Sequence, residues 1–211
     1  LWQYHNYAVW KVAKLKKIPY FIFTHGMLDP WFNKKYPLKF LKKILFWWFI
    51  QYRVLKDARK VLFTSVKEQK SAKSSFWPYH VKTKVVGYGI QGYSKKIKKN
   101  LFLKKFHKLK NKNIILFLGR IVEKKGLDLL LKAFNKIKEK NDHIVIVGSS
   151  DKKYELRIKH IIKNNKLNKF VTWTGPLYGN LKWDAFKAAN LFCLPSHQEN
   201  FGISVAESLS C

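Results

Sequence analysis

The stretch that decides the fold is Ile114-Ile115-Leu116-Phe117-Leu118-Gly119-Arg120, in the middle of a chain of 211 residues. Its run of apolar residues predicts a strand that is buried on both faces. A few residues later, Gly126 opens a segment whose apolar residues recur at the spacing of one helical face. These residues are Leu127, Leu130, Leu131, Phe134 and Ile137. A buried strand followed by an amphipathic helix is the unit from which parallel α/β sheets are built.

The same alternation continues on both sides of this unit. Towards the C-terminus it predicts strands at 144–147, 170–173 and 191–194, and helices at 154–162, at 183–189 and from about Ile203. Towards the N-terminus it predicts helices at 4–15, 38–55 and 66–75, and strands at 20–24, 60–64 and 85–86. Residues 91–113 contain nine lysines and few strand or helix signals, which is typical of an interdomain segment. We therefore predict two α/β domains, 1–95 and 113–211, joined by a linker at 96–112.

The composition limits the classes of protein to which the chain can belong. Apolar residues make up 47% of it, which excludes a disordered chain. The net charge of +31 attracts anions such as nucleic acids, anionic lipids or phosphorylated small molecules. A sequence bias that makes lysine the default surface residue explains the same total. Only two cysteines are present, Cys193 and Cys211, which predicts a reducing compartment and no disulfide framework.

The two ends of the sequence predict a fragment. The chain starts at Leu1 rather than at a methionine, and it stops at Cys211, directly after the first turns of a predicted helix. We therefore expect missing structure at both ends. No signal peptide is recognisable in the sequence given.

The helical segment at 39–50 allows two interpretations. Seven consecutive apolar residues run from Ile44 to Ile50, far fewer than the ~20 needed to span a bilayer. The basic residues Lys39, Lys42 and Lys43 beside this aromatic run favour a helix that lies on an anionic membrane surface. A helix that is buried between a sheet and its neighbours accounts equally for the apolar residues.

The first group of candidate site residues follows the strand at 114–118. Ligands of parallel α/β sheets bind beyond the carboxyl ends of the strands. Gly119 would allow a ligand close to the backbone, and Arg120 and Lys125 offer cationic donors near the start of a helix. Together these residues suit a diphosphate. A solvated turn is the alternative, because an arginine and a lysine five residues apart are common in so basic a chain.

The second group contains two of the only 12 acidic residues in the chain. Glu199 is predicted in the loop after the strand at 191–194, and Glu207 in the first turns of the following helix. Between them, the backbone N–H groups around Asn200, Phe201 and Gly202 could bind an anion, while the carboxylates could accept hydrogen bonds from sugar hydroxyls. A favourable interaction with the helix dipole would explain Glu207 alone, but it does not explain the loop.

A third candidate lies in the first domain. His25 and Gly26 follow the strand at 20–24, where a histidine could face a cleft and donate to a ligand oxygen. A structural or merely exposed histidine is the alternative. The motifs of zinc sites, P-loops and serine hydrolases are absent from the sequence, and Gly87-Tyr88-Gly89 lacks the rest of a dinucleotide fingerprint.

Taken in order, these stretches resemble a retaining glycosyltransferase of the GT-B fold, in family 4 of glycosyl transferases (glycosyl transferases group 1). The similar segments are Leu116–Arg120, Lys125–Leu130, Ile146–Gly148, Thr174–Gly175, Leu194–Ser196 and Glu199–Glu207. The family's pattern of two glutamates separated by seven residues falls on Glu199 and Glu207. The resemblance covers nearly all of residues 20–211 and is weaker before Ile114, where His25-Gly26, Phe63-Thr64-Ser65 with Glu68, and Val85-Val86 to Ile90 match.

The resemblance implies two Rossmann-like domains that face a cleft, both incomplete here. Residues 1–95 would belong to the acceptor-side domain and residues 113–211 to the domain that binds the nucleotide-sugar donor. The implied reaction moves a sugar from a UDP- or GDP-linked donor to a lipid-linked or polysaccharide glycan, with retention, without a cofactor and without a metal. The implied location is the cytoplasm, with peripheral contact to the inner face of the plasma membrane.

Roles for single residues also follow from the resemblance. Arg120 and Lys125, with the backbone at Gly119, would bind the donor diphosphate, and Gly175 would border the base. His25 would reach across the cleft to the donor sugar. Many relatives have asparagine where this chain has Tyr88.

The glutamate pair has its own implied roles. Glu207 would bind the nucleotide ribose. Glu199, with the N–H groups of Asn200, Phe201 and Gly202, would hold the donor sugar and its phosphate.

Three other functions remain open on the sequence. A nucleic-acid-binding protein would suit the charge, but such proteins usually concentrate basic residues on one face, and here lysine is spread along the whole chain. We therefore expect no nucleic acid partner. A nucleotide-sugar epimerase or phosphorylase of the same fold, or a membrane-binding module without catalysis, would use many of the same residues.

Overall fold

The computed structural model describes residues 1–90, 92 and 101–211. Within them the chain forms two compact units, Leu1–Gly89 and Ile90–Cys211. The predicted end of the first domain at 93–95 and the first part of the predicted linker, at 96–100, lie outside the described residues.

The first unit is built on a parallel sheet of three strands in the order β1-β2-β3. These strands are β1 (Phe21–Phe23), β2 (Lys60–Phe63) and β3 (Thr83–Val85). Ile22 pairs with Val61 and Leu62 pairs with Lys84, so the two crossovers bring the carboxyl ends of all three strands to one edge. β1 and β2 lie where the sequence pattern predicts strands, whereas β3 shares only Val85 with the strand predicted at 85–86.

The helices of the first unit are α1 (Tyr4–Leu15), α2 (Pro30–Lys35), α3 (Pro37–Phe46), α4 (Tyr52–Lys56) and α5 (Val66–Lys73). The helical stretch predicted at 38–55 is not continuous, because a π-helical turn at Trp47–Gln51 separates α3 from α4. Trp47 in this turn is fully buried and packs in the core with Val61, Phe63 and Phe76.

The second unit contains a parallel sheet of four strands in the order β6-β5-β4-β7. The strands are β4 (Asn113–Leu118), β5 (Asp142–Val147), β6 (Val171–Gly175) and β7 (Leu191–Phe192). The predicted stretch 114–118 thus forms a central strand, which pairs with β5 from Asn113 to Leu118 and with β7 at Ile115 and Leu116.

Helices cover both faces of this sheet. These helices are α6 (Leu101–Lys105), α7 (Leu127–Ile137), α8 (Lys152–Asn164) and α9 (Gly179–Ala188), and α10 (Ile203–Leu209) follows near the C-terminus without a buried residue. Side chains alternate along β5: Ile144 and Ile146 join the core formed with α7 and α8, whereas Val145 and Val147 join the core formed with α6 and α9. This alternation explains why the strands are apolar at every position rather than at every second one.

The predicted linker differs from the structure after residue 100. Residues 101–109 form α6 and a 3₁₀ turn (His107–Leu109) that belong to the second unit. Phe102 and Leu109 are buried in its core, and the Phe102 N–H donates to the buried Asp184 carboxylate at 2.7 Å. The many lysines of this segment are exposed, and their number in the sequence obscures the few apolar residues that pack it against the second unit.

Candidate functional site

At the carboxyl edge of the second sheet, the backbones of Gly119, after β4, and Gly148, after β5, are in close contact. Gly148 follows β5 and has φ +147°. A Cβ atom built on Gly148 would lie 1.8 Å from the carbonyl oxygen of Gly119, so only glycine fits there. Gly119 itself is open: a Cβ atom there would meet Leu194 Cδ1 at 3.8 Å, an ordinary contact. Contact of a ligand with the backbone at Gly119 stays a prediction.

A second close contact joins the loop after β4 to the loop after β7. Gly126 caps the N-terminus of α7 with φ +68°, and a Cβ atom there would lie 2.0 Å from the Pro195 carbonyl oxygen. The His197 N–H donates to the Lys124 carbonyl at 2.9 Å, and Lys124 Nζ donates to Gln198 Oε1 at 3.2 Å. These contacts hold the two loops in one fixed arrangement.

Within this arrangement, Lys125 forms an ion pair with Glu199. The lysine side chain is 12% exposed and the glutamate side chain 31% exposed. Ser196 Oγ lies 3.4 Å from the same carboxylate oxygen, and the Asn200 N–H donates to the other oxygen at 3.3 Å. The predicted phosphate-binding cation and the predicted sugar-binding carboxylate therefore belong to one site.

Arg120 follows β4 and Gly175 ends β6, at the same edge of the sheet but with β5 between the two strands. Arg120 is exposed, and in the described parts of the chain its guanidinium has no ion pair or hydrogen bond. Gly175 ends β6 with φ +74°, and among the described residues, apart from its chain neighbours, no atom lies within 4 Å of a Cβ atom built there. A role for Gly175 beside the base stays a prediction.

The second glutamate of the pair is held by a residue that the sequence analysis did not single out. Glu207 in α10 accepts a hydrogen bond from Lys182 Nζ in α9 at 2.7 Å, and both side chains are largely buried. Lys182 also lies 4.4 Å from the ring centroid of Trp183. No sequence signal distinguishes Lys182 among 43 basic residues, because its role depends on how α9 packs beside α10.

The loop between the two glutamates is shaped by Gly202 at the start of α10. Its φ is +75°, and a Cβ atom there would lie 3.4 Å from Glu199 Cγ and 3.3 Å from Val205 Cγ2. Asn200 Oδ1 accepts a hydrogen bond from the buried Gln198 side chain, and Phe201 is half-buried. Glycine at 202 therefore lets Glu199 turn back against the helix start.

The third candidate, His25, lies at the carboxyl edge of the first sheet. It is exposed, and its backbone has φ +47°, which is unusual for a residue other than glycine. Its imidazole Nδ1 forms a hydrogen bond with the Tyr88 hydroxyl. Burial, and next the charge of Glu68, raise the pKa of Tyr88, so the phenol stays protonated at neutral pH.

A metal site is not evident in the described part of the chain, where no group of three or more His, Cys, Asp or Glu side chains is placed to bind an ion. A reaction without a metal remains a prediction.

These features define a class. A parallel sheet with helices on both faces and glycines in the turns after its strands is typical of Rossmann-like domains. Residues 98–211, more than half of the chain, match the family described as Glycosyl transferases group 1. The chain belongs to this family.

Among curated proteins, the chain is similar to two glycogen synthases. It is 30% identical over 129 residues to that of Thermosipho africanus, covering 59% of this chain and 26% of the relative. It is 28% identical over 145 residues to that of Pseudothermotoga lettingae, covering 64% of this chain and 28% of the relative. The chain thus spans about a quarter of the length of these relatives.

Two solved structures show the fold. Anabaena HepE, in complex with UDP and glucose, superposes with a TM-score of 0.73 at 16% identity, over 96% of this chain and 53% of that one. Sucrose-phosphate synthase of Thermosynechococcus elongatus superposes with a TM-score of 0.61 at 23% identity, over 76% of this chain and 41% of that one. The chain has the GT-B fold, with one parallel sheet in each unit.

Proposed function

We propose that the protein transfers a sugar, with retention, from a UDP- or GDP-linked donor to a glycan or lipid-linked acceptor, and that it needs no metal. The observation that carries the proposal is the Lys125–Glu199 ion pair at the glycine-lined edge of the second sheet. Membership of the family favours this function over binding of nucleic acid. The UDP and glucose in the HepE complex make UDP-linked sugars the first donors to test.

In the proposed reaction, the bond between the sugar C1 and the diphosphate oxygen breaks, and C1 bonds to the acceptor oxygen on the same face. The proton of the acceptor hydroxyl passes to the departing diphosphate. Negative charge then develops on the departing diphosphate. Arg120 and Lys125 stabilise that charge, which is the electrostatic contribution expected of preorganised cations. No metal is needed if these two side chains supply the positive charge.

A bound donor would replace the contact between Lys125 and Glu199 with contacts of each side chain to the donor. When Lys125 turns to the diphosphate, the Glu199 carboxylate becomes free to accept hydrogen bonds from sugar hydroxyls. Glu207 would accept hydrogen bonds from the ribose hydroxyls, with Lys182 holding the carboxylate in place. His25 would donate to a hydroxyl of the donor sugar.

The direct experiment is a donor screen with the complete protein. Thermal protection and slow hydrolysis would be measured with UDP- and GDP-linked sugars at physiological salt. We expect protection by one nucleotide family that persists in the presence of a chelator. Protection by oligonucleotides alone, lost steeply as salt rises, would contradict the proposal and favour a nucleic-acid-binding protein.

We further propose that the protein lies on an anionic membrane, at the cytoplasmic face. Along α3 and the following π-helical turn, five exposed apolar residues fall on one side at helical spacing: Leu38, Leu41, Leu45, Trp48 and Phe49. Lys39, Lys42 and Lys43 flank this stripe, which suits a surface with both acyl chains and negative head groups. No described helix is long and apolar enough to cross a membrane.

The core interpretation of the 39–50 segment accounts for its buried side, and the membrane proposal concerns its exposed side. Trp47 is fully buried, as a core helix requires, whereas its neighbours Trp48 and Phe49 are exposed. Co-sedimentation with vesicles of anionic lipid at low salt tests the exposed side. We expect Trp48→Ser with Phe49→Ser to weaken binding, and Leu156→Ser, an exposed leucine on α8, to leave it unchanged. Equal binding by all three proteins would contradict this proposal.

A further inference from the structure

We infer that Glu68 is a positioning residue that fixes the conformation of His25, and that Tyr88 selects which imidazole nitrogen His25 presents to the donor sugar. The kinetic part of this inference rests on the proposed function. Neither residue needs to touch the substrate. Glu68 is 6% exposed and lies on α5, behind the edge of the first sheet.

Four hydrogen bonds converge on the Glu68 carboxylate. Oε1 accepts from Thr24 Oγ1 at 2.9 Å and from the Gly26 N–H at 2.6 Å. Oε2 accepts from Thr64 Oγ1 at 2.7 Å and from the Thr64 N–H at 2.8 Å. One carboxylate therefore ties the residues on both sides of His25 to the end of the neighbouring strand β2. Such a buried anion, with every bond made, is a rigid anchor.

The anchor matters because His25 has an uncommon backbone conformation, which its neighbours must hold in place. Its φ of +47° is in the left-handed region, where a residue with a Cβ atom is uncommon. Thr24 and Gly26, its immediate neighbours, are both buried and both bonded to Oε1. Glu68 thus holds the two peptide units that determine where the His25 side chain points.

Only a carboxylate can accept all four bonds. A glutamine at position 68 would keep one oxygen and replace the other by an NH₂ group, which cannot accept. A threonine hydroxyl could rotate to accept from that NH₂ group, but a backbone N–H cannot reverse its role. Because each oxygen accepts from one backbone N–H, glutamine must leave the N–H of either Gly26 or Thr64 unpaired.

Tyr88 contacts the imidazole ring of His25. The rings of His25, Phe23 and Tyr88 lie nearly parallel, with interplanar angles of 10° to 20°. The Tyr88 hydroxyl is bonded to Nδ1, and a phenol can donate its proton to that nitrogen. If the phenol donates to Nδ1, the imidazole proton stays on Nε2, which becomes the donor to a sugar hydroxyl.

A double-mutant cycle on the complete protein tests the role of Glu68. Glu68→Gln, His25→Ala and the double variant would be compared for kcat, KM and nucleotide affinity. We expect Glu68→Gln to lower kcat about 10- to 100-fold, as misplacement of a catalytic group does. In the His25→Ala background we expect no further loss, and nucleotide affinity should be unchanged throughout. Equal losses in both backgrounds would overturn the inference, because a purely structural role does not depend on His25.

Imidazole ¹⁵N chemical shifts provide a test that does not depend on activity. The wild type should show the His25 proton on Nε2. Tyr88→Phe should shift His25 towards a mixture of tautomers, Glu68→Gln should broaden or move its signals, and the exposed control Glu139→Gln should change nothing. If Glu68→Gln folds poorly, Thr24→Val takes the place of that variant in both experiments, because it removes one hydrogen bond to Glu68 Oε1. If the His25 signals are unchanged in all variants, the inference is refuted, whether or not a donor sugar is found. If the signals change but the protein has no transferase activity, only the proposed function is refuted.

Discussion

Lys125 and Glu199 form an ion pair although they come from loops that follow different strands, β4 and β7. Gly126 brings the two loops together, because its missing side chain leaves room for the Pro195 carbonyl. The pair is largely shielded from water, so the lysine is held ready near the sheet edge rather than moving freely in solvent. A diphosphate would compete with Glu199 for the lysine.

The first prediction concerns this lysine. Lys125→Ala should lower kcat by on the order of 100-fold or more, since loss of one preorganised donor to a developing negative charge typically has that effect. The matched control is Lys132→Ala, which removes an exposed lysine from α7. Steady-state kinetics with the donor found in the screen make the comparison. Equal rates for the two variants would show that Lys125 does not bind the diphosphate.

The second prediction concerns Glu207. Glu207→Ala should weaken nucleotide binding about 10- to 100-fold, because a buried carboxylate that bonds ribose hydroxyls forms charge-assisted hydrogen bonds. The exposed Glu139→Ala is the control and should bind normally. Calorimetry with the free nucleoside diphosphate measures the affinity, and thermal melting checks the fold. Normal affinity in Glu207→Ala would rule out the ribose role.

The fold could be predicted from local patterns, whereas several contacts of the site could not. The continuous apolar run at 114–118 identified a strand covered on both faces because that burial leaves every position apolar. α6 was missed because Phe102 and Leu109 stand among lysines, and two buried residues give no recognisable period.

The site shows the same limit. Glu199 and Glu207 were visible because acidic residues are scarce in this chain, but Lys182 was hidden because basic residues are abundant. The pairing of Lys125 with Glu199 depends on the distance between two loops that are far apart in sequence, and sequence spacing does not report that distance. Glu68 lies in a stretch that resembles the family, but its link to His25 depends on the packing of α5 against β1 and β2.

The third prediction concerns the contact between strand ends. Gly148→Ala should destabilise the chain by about 3 kcal/mol or more, because the new Cβ atom would overlap the Gly119 carbonyl and the backbone would have to move. Gly119→Ala, whose Cβ atom meets only Leu194, should cost less than about 1 kcal/mol. Urea unfolding compares the two. If Gly119→Ala keeps its stability but loses nucleotide affinity, close approach of a ligand to this backbone is supported.

The last prediction concerns pH and the buried His143 in β5. Its Nε2 bonds to Thr172 Oγ1 at 2.8 Å, and its Nδ1 is buried without a hydrogen-bond partner among the described residues. Burial, and then the charge of Lys112, lower the pKa of His143. In the charged form Nδ1 also carries a proton, and this buried N–H would have no acceptor. Its burial without a hydrogen bond therefore also disfavours the charged form.

Because the pKa is lowered in the folded state, the unfolded chain binds the proton first as pH falls. The contribution of His143 to stability is therefore complete above the unfolded pKa of about 6.5 and is lost below it, at no more than about 1.4 kcal/mol per pH unit. Urea unfolding from pH 7.5 to 5 should show a shallower pH dependence for His143→Gln than for the wild type. His160→Gln, which removes an exposed histidine from α8, should keep the wild-type slope. A wild-type slope in His143→Gln would mean that His143 is protonated equally in the folded and unfolded chain.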